Sequence, residues 1–297
     1  DSVHVKSRSR IGADLGFAVL ADGMGGHTSG DVASKIAVTE VFSELKLQSG
    51  DLETFEENIT DILLGAALAA NECVSGHVRA HPDCSGMGTT LVAPVFIRNF
   101  LYWISVGDSP LYLYRNGILK QLNEDHSMAP QIDCMVKSGQ ITEESGYNHP
   151  DRNCLTSVLI GRDIARIDCP KTPVKLRERD VVIVASDGLQ FLSNAEIEKV
   201  LTAGKTKSSS EIVEILLARL DDLADPDQDN ISFSVVRILK ARRCADHWSA
   251  PLAPALENKS PQIPFRSRNG QATAAHHAAR KSLAFLRGRL KSRDASS

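Results

Sequence analysis

Three widely separated apolar runs each stop at an aspartate in a turn, and this recurrence constrains the chain more than any other feature. They are Phe17-Ala18-Val19-Leu20-Ala21-Asp22-Gly23, Trp103-Ile104-Ser105-Val106-Gly107-Asp108 and Val182-Ile183-Val184-Ala185-Ser186-Asp187-Gly188. A fourth acidic turn, Asp227-Gln228-Asp229-Asn230, stands directly before the last apolar run, Ile231 to Leu239. Short apolar runs bounded by turn residues read as buried strands. A strand end holds a carboxylate rigidly and leaves its oxygens open to water, as a hydrated hard cation requires. Any one of these acids taken alone is better explained by aspartate's preference for turns. Four in one chain shift the balance toward a shared site. If they converge, their repulsion raises some pKa values unless cations are bound.

Between the acidic turns the hydrophobic period changes. Asp31 to Leu47 has helical spacing through Ile36, Val38, Val41, Phe42 and Leu45, and Leu52 to His81 is a second long helical pattern without interior proline. Thr89 to Phe96, Phe100 to Val106, Leu111 to Tyr114 and Ile118 to Leu122 are β-rich, and Arg115-Asn116-Gly117 carries the strongest short hairpin signal. These four runs read as one antiparallel meander. A short helix is expected around Gln131 to Ser138. Ser193-Asn194-Ala195-Glu196 and Ser208-Ser209-Ser210-Glu211 match capping boxes, each opening a helix. Paired helices and runs of strands predict an α+β fold of antiparallel sheets covered by helices, not a parallel βαβ sheet.

Composition narrows the function classes. The net charge of −3 divides into −11 on residues 1–240 and +8 on residues 241–297. An acidic body argues against binding a phosphate backbone and suits a protein that gathers carboxylates for cations. Six cysteines, with no Cys-x-x-Cys pair and no zinc spacing, read as scattered reduced thiols, consistent with a cytoplasmic protein. No run reaches membrane-spanning length, and no secretory signal pattern opens the chain. The glycines after Asp22 fit neither a dinucleotide-binding nor a Walker pattern. Residues 1–240 are read as one domain. Residues 241–297, with Pro251, Pro254, Pro261 and Pro264, are read as a linker and basic tail, disordered or partly helical.

The ordered set Asp22-Gly23-Met24-Gly25-Gly26-His27, Gly30-Asp31-Val32-Ala33-Ser34, Gly86-Met87-Gly88-Thr89-Thr90, Val106-Gly107-Asp108-Ser109, Glu124-Asp125-His126-Ser127, Ser186-Asp187-Gly188 and Asp229-Asn230 resembles the bacterial metal-dependent protein phosphatases of type 2C. The resemblance covers residues 1–240. It implies a four-layer α-β-β-α sandwich and hydrolysis of phosphoserine and phosphothreonine on proteins. In that family a water shared by two cations attacks phosphorus in line, without a covalent intermediate.

Carried across position by position, Asp22 bridges two Mn²⁺ or Mg²⁺ ions, with the Gly23 carbonyl on one and Asp187 and Asp229 on the other. Asp108 corresponds to a ligand of a third ion, and Asp1, at the end of a partial Asn-Glu-Asp-Ser motif, to a further metal-site acid. Ser127 to Pro150 corresponds to the family's variable flap. The family's phosphate-binding Arg and a first strand are expected upstream of residue 1. Met24 stands where eukaryotic members carry a His, and Pro110 where many relatives carry an Arg. Expected partners are phosphoproteins, among them a cognate Ser/Thr kinase, with no nucleic acid, no membrane span and a monomeric state. Two alternatives stand beside this reading: a catalytically impaired phosphatase-like regulator that binds phosphoproteins, and an interaction protein whose acids only end strands.

Overall fold

The structure, a computed structural model, describes residues 2–8, 15–24, 27–223 and 230–239. Asp1, Gly25, Gly26, Asp229, the expected linker and the basic tail lie outside the described residues. In chain order the elements are β1 (Ser2–Arg8), β2 (Leu15–Ala21), β3 (Gly23–Met24), α1 (His27–Gln48), α2 (Leu52–Glu57), α3 (Ile59–Ala80), β4 (Gly88–Thr89), β5 (Leu91–Ile97), β6 (Phe100–Val106), β7 (Leu111–Arg115), β8 (Ile118–Gln121), α4 (Ala129–Lys137), α5 (Glu143–Tyr147), β9 (Val174–Lys175), β10 (Val181–Ala185), α6 (Asn194–Ala203), α7 (Ser209–Leu223) and β11 (Phe233–Arg237).

Strands β1-β2-β5-β6-β9 form one sheet and β11-β10-β7-β8 a second, with every pairing antiparallel. Side-chain alternation along single strands shows how they stack. Phe17, Val19 and Ala21 of β2 join a core with α1, α2 and α3, whereas Ala18 and Leu20 join a core between the sheets. On β10, Val181, Ile183 and Ala185 face α6 and α7, whereas Val182 and Val184 face the other sheet. Strands buried on both faces read as unbroken apolar runs, which is why β2 and β10 stood out in the sequence. The result is the expected α-β-β-α sandwich.

The four β-rich runs do not make one meander. β5 and β6 pair in the first sheet, β7 and β8 in the second, and the chain crosses over at Gly107-Asp108-Ser109-Pro110. The expected strand from Thr89 is also interrupted: Gly88 and Thr89 pair with Gly23 and Met24, and β5 begins only at Leu91. The β2–β5 ladder pairs Phe17 with Val95 and Leu20 with Val92 but skips the positions between, where Pro94 has no N–H to give. The long helix expected over Leu52 to His81 is two helices, broken at Asn58, whose backbone N–H turns back to the Thr54 carbonyl.

Other local signals hold. At the β7–β8 turn Asn116 and Gly117 both have positive φ, +55° and +90°, the hand that matches strand twist. The Ser193–Glu196 box has both reciprocal bonds, and Glu211 and Ser208 exchange the same pair.

Candidate active site

The turn after β2 is fixed by its backbone. The Asp22 N–H donates to Thr90 Oγ1 at 3.0 Å, and the Asp22 carbonyl accepts from the Thr90 N–H and the Thr89 hydroxyl, both at 2.8 Å. The buried Thr90 hydroxyl also lies 2.7 Å from Ser109 Oγ. One threonine therefore ties the turn bearing Asp22 to the turn bearing Asp108. Gly107 permits this approach: its φ is +102°, and a Cβ there would stand 2.6 Å from Thr90 Cγ2.

From the other side, His126 grips Gly107 twice. Its Nδ1 accepts the Gly107 N–H at 3.2 Å, and its own N–H donates to the Gly107 carbonyl at 3.1 Å. That bond pattern places the ring proton of the neutral form on Nε2. Burial holds the His126 pKa below the usual value, and the carboxylate of Glu124, 3.7 Å from Nε2, acts in the opposite direction.

Asp187 opens a short 3₁₀ turn, Asp187–Phe191, at the end of β10. Ser186 stitches that turn to the segment entering β11: its N–H donates to the Ser232 carbonyl at 2.8 Å, and its hydroxyl accepts the Ser232 N–H at 3.1 Å. Gly188 packs against the Asn230 backbone, where no side chain would fit.

Asp108, Asp125 and Asp187 line one cleft of about 900 Å³. Burial first, then the charges of Asp187 and Asp125, push the Asp108 carboxyl up to about 7. The remaining walls come from Tyr112, the predicted flap region with α4 and Tyr147, Arg152, and the turn from Gln190 to Asn194. Arg152 clamps the flap by donating to Asp133 at 2.7 Å and to the Gly146 carbonyl at 3.4 Å.

Two predicted site residues, Asp108 and Asp187, are thus brought together. Asp22 is half-buried and joined to them through Thr90 and Ser109, but it is not part of the cleft lining. The Gly23 carbonyl faces α1, where a Cβ on Gly30 would stand 2.7 Å from it. Among the described residues no three His, Cys, Asp or Glu side chains are close enough to hold a metal ion by themselves. The predicted set also includes Asp1 and Asp229, which lie outside the described residues. Asp125 is a site acid to which sequence reasoning assigned no role, and its only signal was its place in the Glu124-Asp125-His126-Ser127 run.

Known proteins resemble this chain in sequence and in overall fold. Residues 1–223 match the family model described as protein phosphatase 2C. The serine/threonine phosphatase stp of Listeria innocua is 32% identical over 221 residues, covering 74% of this chain and 83% of that protein. The solved serine/threonine phosphatase of S. agalactiae superimposes with a TM-score of 0.65 at 29% identity, covering 80% of this chain and 99% of that one. The catalytic domain of the serine/threonine phosphatase PstP, solved in complex with two manganese ions, gives 0.60 at 29% identity, covering 80% and 91%. The chain belongs to the protein phosphatase 2C family of serine/threonine phosphatases.

Proposed function

We propose that the cleft removes phosphate from phosphoserine and phosphothreonine side chains of proteins, in a reaction that depends on Mn²⁺ or Mg²⁺ held by Asp22, the Gly23 carbonyl, Asp187, Asp229 and Asp1, with Asp108 on a further ion. The observation that carries this reading is the meeting of Asp108, Asp187 and Asp125 in one cleft, where burial first, and then the charges of Asp187 and Asp125, drive the Asp108 pKa to about 7. Like-charged carboxylates lining one cleft are stabilised by a cation, and an all-oxygen donor set suits a hard divalent ion. When bound, such ions supply activated water at neutral pH and offset charge growing on the phosphoryl oxygens.

The chain's own residues hold the geometry. Thr90, Ser109 and His126 fix the turns that carry Asp22 and Asp108, and Ser186 fixes Asp187 beside the entry to β11. Lys137 adds positive charge to the cleft wall beside the Arg152–Asp133 ion pair, where a phosphorylated peptide is drawn in. Phosphoproteins are the expected substrates, with a cognate Ser/Thr kinase among them. We place residues 241–297 outside this catalytic domain, and we place the reaction in the cytoplasm. Among the described residues no helix is long and apolar enough to cross a membrane.

The test is phosphate release from a phosphothreonine peptide by the full chain, with and without Mn²⁺, alongside D22A and D187N. Turnover should need the metal and should fall by about a thousandfold in either variant. Undiminished turnover in chelator, or in both variants, overturns the proposal.

A further inference from the structure

A second cavity, of about 560 Å³, lies against the helix-facing side of the four-stranded sheet. Its floor is a row of side chains set by strand register: Tyr114 on β7 pairs with Val181 on β10, which pairs with Arg237 on β11. Its rim comes from the β7–β8 turn, Arg179, and the chain leaving α6 at Gly204, Lys205 and Thr206. β10 runs from this cavity to Asp187. At about 3.3 Å per residue, the cavity is roughly 20 Å from the aspartate cleft.

Its charge is opposite to that of the body. Arg179, Lys205 and Arg237 line it, and no Asp or Glu among the described residues does. The nearest acid in sequence, Asp180, is committed elsewhere: Arg115 grips both its oxygens, at 2.9 and 2.6 Å, and the Arg177 N–H donates to it at 2.7 Å. Arg179 and Lys205 are exposed, and their side chains have no hydrogen-bond or ion-pair partner among the described residues. Arg237 uses its two terminal nitrogens on the carbonyls of Gly204 and Lys205, capping the end of α6, but its Nε–H is buried with no acceptor. A buried donor left unmatched is costly, and uncompensated like charges around one cavity add to that cost.

We propose that this cavity is an oxyanion site that takes phosphate, either free or carried on a peptide, independently of the catalytic cleft. Tyr114, Asn116 and Thr206 supply neutral polar walls around the three cations, the composition expected for a tetrahedral anion and not for a second metal.

The probe is inorganic phosphate, titrated by calorimetry at physiological salt into the full chain after chelator treatment. Wild type and D187N should bind alike, because the site does not use the aspartate cleft. R179A/K205A should bind at least about tenfold more weakly while keeping the phosphatase turnover and melting temperature of wild type in phosphate-free buffer. Should that double variant misfold, K205A alone, at an exposed position, should still weaken binding severalfold. A phosphothreonine peptide titrated into D187N distinguishes the two sources of phosphate: affinity above that of inorganic phosphate assigns a peptide-borne group, and equal or lower affinity assigns the free ion. The idea is overturned if wild type shows no binding at ~10 mM phosphate. It is equally overturned if binding disappears in D187N, or if it survives intact in R179A/K205A and K205A, which would assign it to the basic residues of 241–297.

Discussion

The two ends of β10 differ in a way that neither its sequence nor its burial announces. One end stops at Asp187 in an acidic cleft, where burial first, and then the charges of Asp187 and Asp125, lift the Asp108 pKa to about 7. The other begins beside Asp180, whose charge is fully matched by Arg115, and opens onto three cations. At the first end like charges are gathered and backbone freedom is removed by Thr90, His126 and Ser186. At the second the acid is satisfied and the β7–β8 turn stands in open space: a Cβ on Gly117 would meet nothing within 4 Å. The strand is the same. Its ends differ in which charges the neighbouring turns bring to it.

The sharpest way to break this contrast is to neutralise one acid. D187N should retain the fold and lose about a thousandfold in turnover, checked by steady-state assay beside a melting curve. Next comes backbone geometry. Gly107→Ala must place a side chain at φ +102° against Thr90 and should cost about 2–3 kcal/mol with loss of activity. Gly117→Ala, also at positive φ but in open space, should cost about 1 kcal/mol and leave turnover unchanged. Equal costs in chemical denaturation would erase the distinction between the ends.

Thr90→Val, which removes the acceptor of the Asp22 N–H, should destabilise by about 1–3 kcal/mol and reduce turnover more than its effect on stability explains.

A subtler effect is set by pH. Asp108 titrates near 7 when folded, against about 3.9 when unfolded. A raised acid pKa imposes no penalty below the unfolded value and its full penalty above the folded one, so stability falls as pH rises between them. Chelator-treated protein should therefore be more stable at about pH 5 than at about pH 8, by ~1–3 kcal/mol from this group, and D108N should flatten the dependence of the denaturation midpoint. Smallest of all, R179A/K205A should change stability by less than about 0.5 kcal/mol and leave turnover intact.

What could be read from sequence followed local chemistry. β2, β6 and β10 were legible because strands buried on both faces leave unbroken apolar runs, and both capping boxes formed because they need only four consecutive residues. The meander was misread because nothing local tells the chain to change sheets at Gly107; that choice is made by packing against Thr90 and His126. Asn58 broke a helix that the hydrophobic period alone would continue. Of the site, the acids at strand ends were visible, whereas Asp125 and the Thr90–Ser109 contact depend on approaches between distant segments. The cationic cavity could not have been found at all, since its members come from separate turns and strand ends and share no motif.

Pro94 sits in β5 with strands on both sides, where the neighbouring β2–β5 pairing lapses. Past that lapse, the end of β2 is held to the sheet by the Leu20–Val92 pair and by the threonine bonds to Asp22. Amide deuteration should trace this as a seam across the sheet. The proton at Ala18, on the side facing β5, should wash out early, while that of Asp22, locked onto the Thr90 hydroxyl, persists beyond it.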